Sequence, residues 1–209
     1  MSEKLKVINK IELAVFIGLL MTIIFSCTYG VIGFNESCED IRDSMLRLHV
    51  IANSDSDEDQ SLKLLVRDTV LESGADIFDG SVNVENAETK LTPRINELER
   101  AAEKIISENG FDYDITVKVG EEYFDTRTYG NVTLPAGEYK AVRVIIGEGK
   151  GNNWWCVMFP PMCLPAAQGD TGIDAYLEND EVKLVESNPK FEPRFKVVEI
   201  YERIRNCFG

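Results

Sequence analysis

The chain has 209 residues, a formal net charge of −14, one histidine and five cysteines. With an N-terminal segment set aside, roughly 180 residues remain, enough for one domain with a sizeable core or two small ones. So acidic a surface repels nucleic acid and anionic lipid, and a single histidine excludes multi-histidine metal sites.

Lys4, Lys6 and Lys10 precede an apolar run from Leu13 to Cys27, with Ser26, Thr28 and Gly30 at its end. Positive charge, then apolar residues, then small ones is the pattern of an export segment. The run is short for a comfortable membrane span. Cleavage after Thr28 would place Ser26 and Thr28 where a signal peptidase reads small residues. Without cleavage, Val7, Ile8 and Ile11 extend the helix to about 20 residues, an N-terminal anchor whose lysines stay cytoplasmic. Lipid attachment at Cys27, behind Ile24-Phe25-Ser26, is a third ending, against which the bulky Phe25 counts. Each ending places the remainder outside the cytoplasm.

Along the remainder, Leu46, Leu48, Val50 and Ala52 alternate with Arg47, His49, Ile51 and Asn53, which predicts a strand over 44–53. Ser54 or Ser56 can cap a following helix, and Asp55, Asp57 and Asp59 suit its positive end. Leu62, Leu65, Val66, Thr69 and Val70 then repeat at helical spacing, and 72–83 reads as a loop. Ala87, Leu91, Ile95, Leu98, Ala102 and Ile105 form a second helical stripe, which Pro93 should kink or split. Asn109-Gly110 ends it. Strands are predicted from Tyr113 to Val119, Tyr139 to Ile146 and Trp154 to Phe159. The last two should form a hairpin beside the first, turning at Gly147 to Asn153. Residues 194–205 read as a closing helix. The fold class is α+β: a largely antiparallel sheet with two or three helices packed on one face, preceded by an N-terminal hydrophobic export or anchor helix.

Few motifs carry chemistry. Asp55-x-Asp57-x-Asp59 begins like a calcium loop, but Gln60 stands where the glycine is needed and Val66 where the bidentate glutamate belongs. A capped, acidic first turn is the better reading. Gly147-Glu-Gly-Lys-Gly151 lacks phosphate-loop spacing and leads into a strand, so a turn is favoured. A Cys–His nucleophile pair would need Cys156 or Cys163 to meet His49, and nothing in the sequence brings them together. No catalytic, metal or cofactor residues are assigned. Cys156 and Cys163 flank Pro160-Pro161, which can turn the chain back, and make the first disulfide expected; Cys38 and Cys207 would make the second. Partly buried free thiols are the alternative. Trp154-Trp155 with Met158, Phe159, Pro160 and Pro161 is the densest aromatic stretch. It reads as a core strand with one Trp facing inward, and an exposed Trp would anchor a protein partner.

Two blocks are specific: Leu46 to Gln60 running on to Val66-Arg67-Asp68, and Tyr129-Gly130 with Leu134 to Tyr139 and Gly147 to Cys163. Together they resemble the stage II sporulation protein R family of endospore-forming bacteria, over about 45–163. The resemblance implies a signalling protein and no enzyme. It implies export across the forespore membrane into the intermembrane space, secreted or N-terminally anchored. The partner there is a membrane-embedded aspartic protease that processes the pro-form of sigma factor E. The expected division is 1–28 signal peptide or anchor, 29–43 linker, 44–163 α+β signalling domain and 164–209 C-terminal extension. Contact with the protease is expected from Tyr129, Trp154, Trp155, Phe159, Pro160 and Pro161. The rival readings are an exported hydrolase acting on cell wall or another extracytoplasmic substrate, and a structural envelope protein.

Overall fold

The computed structural model describes residues 2–78, 81, 83–162, 173, 176–186 and 192–208, with the side chains of all of these but 2–11, 27, 28, 31, 76, 179, 192–194 and 206–208. The chain divides into two compact units, Met1–Glu39 and Asp40–Gly209. Helix α1 (Ser2–Asp43) supplies the first unit and gives its last turn to the second. In the first unit Leu13, Phe16, Leu19, Ile23 and Phe25 are each about half exposed or more. A helix apolar on every side has no face suited to water. Among the described residues, no helix is long and apolar enough to cross a membrane.

The second unit is a mixed α+β domain. Its elements are β1 (Leu46–Ile51), α2 (Asp57–Phe78), α3 (Val84–Leu91), a 3-10 turn (Thr92–Arg94), α4 (Ile95–Glu108), β2 (Ile115–Phe124), β3 (Arg127–Tyr129), β4 (Val132–Leu134), β5 (Gly137–Ile146), β6 (Asn153–Phe159), α5 (Asn179–Val185) and α6 (Glu192–Phe208). The main sheet has strand order β2-β5-β1-β6, and β3 pairs with β4 apart from it. Leu46, Leu48 and Val50 of β1, Val142, Val144 and Ile146 of β5, and Cys156 and Met158 of β6 share one core with α2, α3 and α4. Helix α6 packs against β5 outside that cluster.

The expected β5–β6 hairpin is not formed. β1 lies between the two strands, parallel to β5 and antiparallel to β6, so the sheet is mixed. All six residues of β1 are buried, which is the condition of a central strand covered on both faces. Residues 147–152 therefore arch over the end of β1. Lys150 N–H donates to the Asn53 carbonyl (3.1 Å) and Gly151 N–H to that of Ala52 (2.9 Å). The expected loop at 72–83 is also shorter, because α2 continues to Phe78 and buries Leu71, Ile77 and Phe78. Gly74 permits this: a Cβ there would overlap the Met158 side chain, so the missing side chain lets helix and strand approach. The split at Pro93 and the stop at Gly110 (φ +82°) form as the sequence predicts. The closing helix forms as α6; β3, β4 and α5 carried no clear signal.

The crossing loop and the start of α2 lock together. Ser56 Oγ accepts from Asp59 N–H (3.2 Å) and is the cap. Asp59 Oδ2 accepts from Asn53 Nδ2 (2.8 Å) and Ser54 Oγ (2.5 Å). Asp55 Oδ1 accepts from Asn152 N–H (2.6 Å), and Lys63 Nζ donates to the Asn152 carbonyl (2.9 Å). Asp55 and Asp59 are thus spent on the loop contact and the cap, and Asp57 stands in the acidic first turn of α2. Burial acts to raise the Asp59 carboxyl, but hydrogen bonds from Ser54, Asn53 and Tyr113 outweigh it and hold the group below the ordinary 3.8.

Two outcomes follow from this lock. A folded-state value below 3.8 means Asp59 contributes stability above that pH and loses it as pH falls through the folded value. Asp59→Asn should therefore lower the thermal midpoint at pH 7, with the gap to the parent narrowing below pH 3.8. A Cβ on Gly151 would overlap the Ser54 carbonyl oxygen, whereas one on Gly120 meets nothing within 4 Å. In urea unfolding, Gly151→Ala should cost about 1–3 kcal/mol and Gly120→Ala about 0.5 kcal/mol or less.

Candidate functional site

Strand alternation gives β1 two unlike faces. While Leu46, Leu48 and Val50 enter the helical core, Arg47 and His49 point to the other side of the sheet, buried at 0% and 3% exposure. The Arg47 guanidinium carbon lies 4.0 Å from the Phe124 ring centre, 4.7 Å from that of Tyr139 and 5.5 Å from that of Tyr129. Its Nη2 donates to the Tyr129 hydroxyl, while its Nε and Nη1 have no hydrogen-bond partner among the described residues. The ring faces supply the negative potential that a buried cation otherwise takes from a carboxylate.

His49 sits beside this centre. Its Nδ1 is 2.7 Å from Glu122 Oε1, and its ring stacks on Trp155 with centres 3.7 Å apart. Phe124 meets the Trp155 ring edge-on at 4.8 Å, and Arg127 lies 5.5 Å from its centre. The Arg143 Nε approaches Glu122 Oε1 at 3.9 Å. Tyr139 Oη donates to the Pro135 carbonyl (2.6 Å), which fixes another wall of the cluster. His49 Nε2 is buried without a hydrogen-bond partner among the described residues.

The six expected contact residues fall into three environments. Tyr129 and Trp155 close over Arg47 and His49, half-buried. Trp154 takes the opposite face of edge strand β6, 37% exposed, with the Arg67 guanidinium 4.3 Å from a ring centre. Phe159, at 1% exposure, packs in the core against Phe78 and Tyr176; Pro160 is buried and Pro161 half-buried. Phe159 and Pro160 are therefore interior residues, and Trp154 is the open one. The Phe159–Pro160 peptide is cis.

A Cys156–His49 couple does not form. Cys156 pairs with Leu48 and His49 with Trp155, so alternation sends the sulfur and the imidazole to opposite faces. Cys156 is buried and disulfide-bonded, with its partner outside the described residues. Cys163 and the side chain of Cys207 lie outside them too, so neither expected pairing is described. A separate groove of about 660 Å³ has an apolar floor of Phe159, Tyr176 and Leu177 and an acidic rim that includes Asp43, Glu85 and Glu181. It is lined by neither His49 nor Cys156.

Sequence reasoning passed over Arg47 and Phe124. The available signal was the polar pair Arg47 and His49 on alternate positions of an otherwise apolar strand. Their partners come from Glu122 to Tyr139 and from Trp155, across long gaps in the chain.

The family described as stage II sporulation protein R matches residues 42–168. That stretch holds β1 to β6, the Arg47–His49 centre and Trp154, and it excludes α6. A curated relative, stage II sporulation protein R of Bacillus subtilis (strain 168), is 38% identical over 123 residues, covering 59% of this chain and 55% of the relative. The chain thus aligns with little more than half the length of that relative. No solved structure matches. With most of its length inside one family's bounds, the chain belongs to the stage II sporulation protein R family.

Proposed function

We propose that this protein is an intercompartmental signal of sporulation. It is exported across the forespore membrane, secreted or held by its N-terminal segment, and activates a membrane-embedded aspartic protease. That protease then processes the pro-form of the mother-cell sigma factor E. Membership of the family supports the sporulation role. The lysines before an exposed apolar helix favour export or anchoring. In an oxidising space, Cys156 would pair with Cys163 and fasten the end of β6.

The observation that carries the docking role is Trp154. Its ring stands on an edge strand, over a third exposed, with Arg67 against it. A rigid, half-open indole braced from below is the kind of residue that dominates protein interfaces. Activation then requires that docking favour the active protease arrangement over the inactive one, since equal affinity for both shifts nothing. The hydrolase reading has one observation in its favour, the His49–Glu122 pair. That pair is enclosed, and Cys156 faces away from it.

The test is co-expression with the protease and its precursor substrate in a cell that makes neither. The parent chain should suffice for processing. Trp154→Ala should keep its unfolding midpoint and reduce processing by about tenfold or more. Parental processing by a folded Trp154→Ala chain would remove Trp154 from the contact surface.

A further inference from the structure

Helix α6 carries an apolar face that nothing among the described residues covers. Val197, Ile200, Tyr201 and Ile204 are each 53–55% exposed. At 3.6 residues per turn they form one stripe, spanning roughly 100° of the helix. Phe195 and Val198 are buried on the side toward the domain. This helix is therefore apolar on two faces, of which the domain uses one.

The charges on α6 are sorted. Its described acids, Glu199 and Glu202, are buried at 7% and 0% exposure. Its described cations border the exposed stripe, with Lys196 and Arg203 along one edge and Arg205 along the other. Their side chains are 64%, 58% and 44% exposed. The buried acids hold these cations in place: Lys196 Nζ lies 2.8 Å and Arg203 Nη2 2.9 Å from Glu199, and Arg205 Nη2 lies 2.8 Å from Glu202. Arg203 also reaches Asp125 at 2.9 Å. An apolar stripe bordered by two cations on one edge and one on the other fits a helix lying in a membrane interface, its stripe among acyl chains and its cations at the headgroups.

We propose that α6 is a membrane-surface helix that lays the second unit against an anionic lipid bilayer. The chain's overall charge of −14 argues against this only at long range. The partner acids Glu199 and Glu202 are buried while Lys196, Arg203 and Arg205 are 44–64% exposed. Positive charge is therefore what the helix presents beside its stripe, and acids beyond a Debye length of about 8 Å are screened. This stripe lies apart from Trp154, which packs against Arg67 of α2.

The N-terminal segment can carry the chain to any bilayer, so the test must read α6 by position. The full chain, with the photo-crosslinker p-benzoylphenylalanine at Ile204, is mixed with vesicles of phosphatidylglycerol and phosphatidylcholine, or of phosphatidylcholine alone. Lipid adducts at position 204 are expected on the anionic vesicles, with about tenfold fewer on neutral ones. Adding Lys196→Gln and Arg203→Gln should lower the anionic yield severalfold, and the same crosslinker at Lys118 on β2 should give none. Should the probe at 204 disturb folding, the one at Ile200 reads the same stripe. Adducts to a second copy, equal yields on both vesicles, or no lipid adducts at either position would each overturn the proposal.

Discussion

A central strand that must satisfy two unlike faces is the constraint on which this domain is built. The apolar side of β1 asks only for the helices α2 to α4, which any amphipathic segments could supply. The other side holds a guanidinium and an imidazole at 0% and 3% exposure. Removing a charge from water costs several kcal/mol, and one cation–π contact returns about 0.5–2 kcal/mol. No single ring is therefore enough. Phe124, Tyr139 and Tyr129 together, with the Tyr129 hydroxyl as acceptor, meet the requirement. The same layer uses Glu122 and Trp155 to hold His49. The polar centre is in this way a structural device that ties β2, β3, β5 and β6 to β1.

The loop lock couples that device to the surface. Because β1 separates β5 from β6, their connection must pass over the Asn53–Asp59 segment, and it is bonded there by backbone and side chains. Trp154 follows this connection by two residues. Its exposure and direction are set by where the loop releases the chain, and Trp155 is drawn to the opposite face by His49. The two rings of this pair thus stand on opposite sides of the sheet, Trp155 stacked on His49 and Trp154 partly open to solvent.

Much of this was legible in sequence, where a local signal decided the outcome. The alternation of Leu46 to Val50, the acidic cap before α2, the break at Pro93 and the glycine stop at 110 all rest on neighbours within a few residues. What failed depended on distant partners. Two strands joined by a glycine-rich turn read as a hairpin because no local feature reveals a third strand between them. Gly74 looked like a loop residue because its reason, the Met158 side chain, lies more than eighty positions away. Strands β3 and β4 have three residues each, too few for a period. For the site, Trp154 and Trp155 were recognised as a pair, but their division between surface and interior came from the pairing with Val50 and His49. Arg47 was seen only as the polar member of an alternation.

If the Arg47–His49 layer holds the platform and function lies on its surface, stability and signalling must separate at His49. The direct measurement is the unfolding midpoint of a His49→Gln chain, taken alongside precursor processing normalised to the amount of folded protein. A lowered midpoint with parental processing per folded molecule is the expected result. Parental stability with processing abolished would contradict it, and would make the imidazole a working group instead of a structural one.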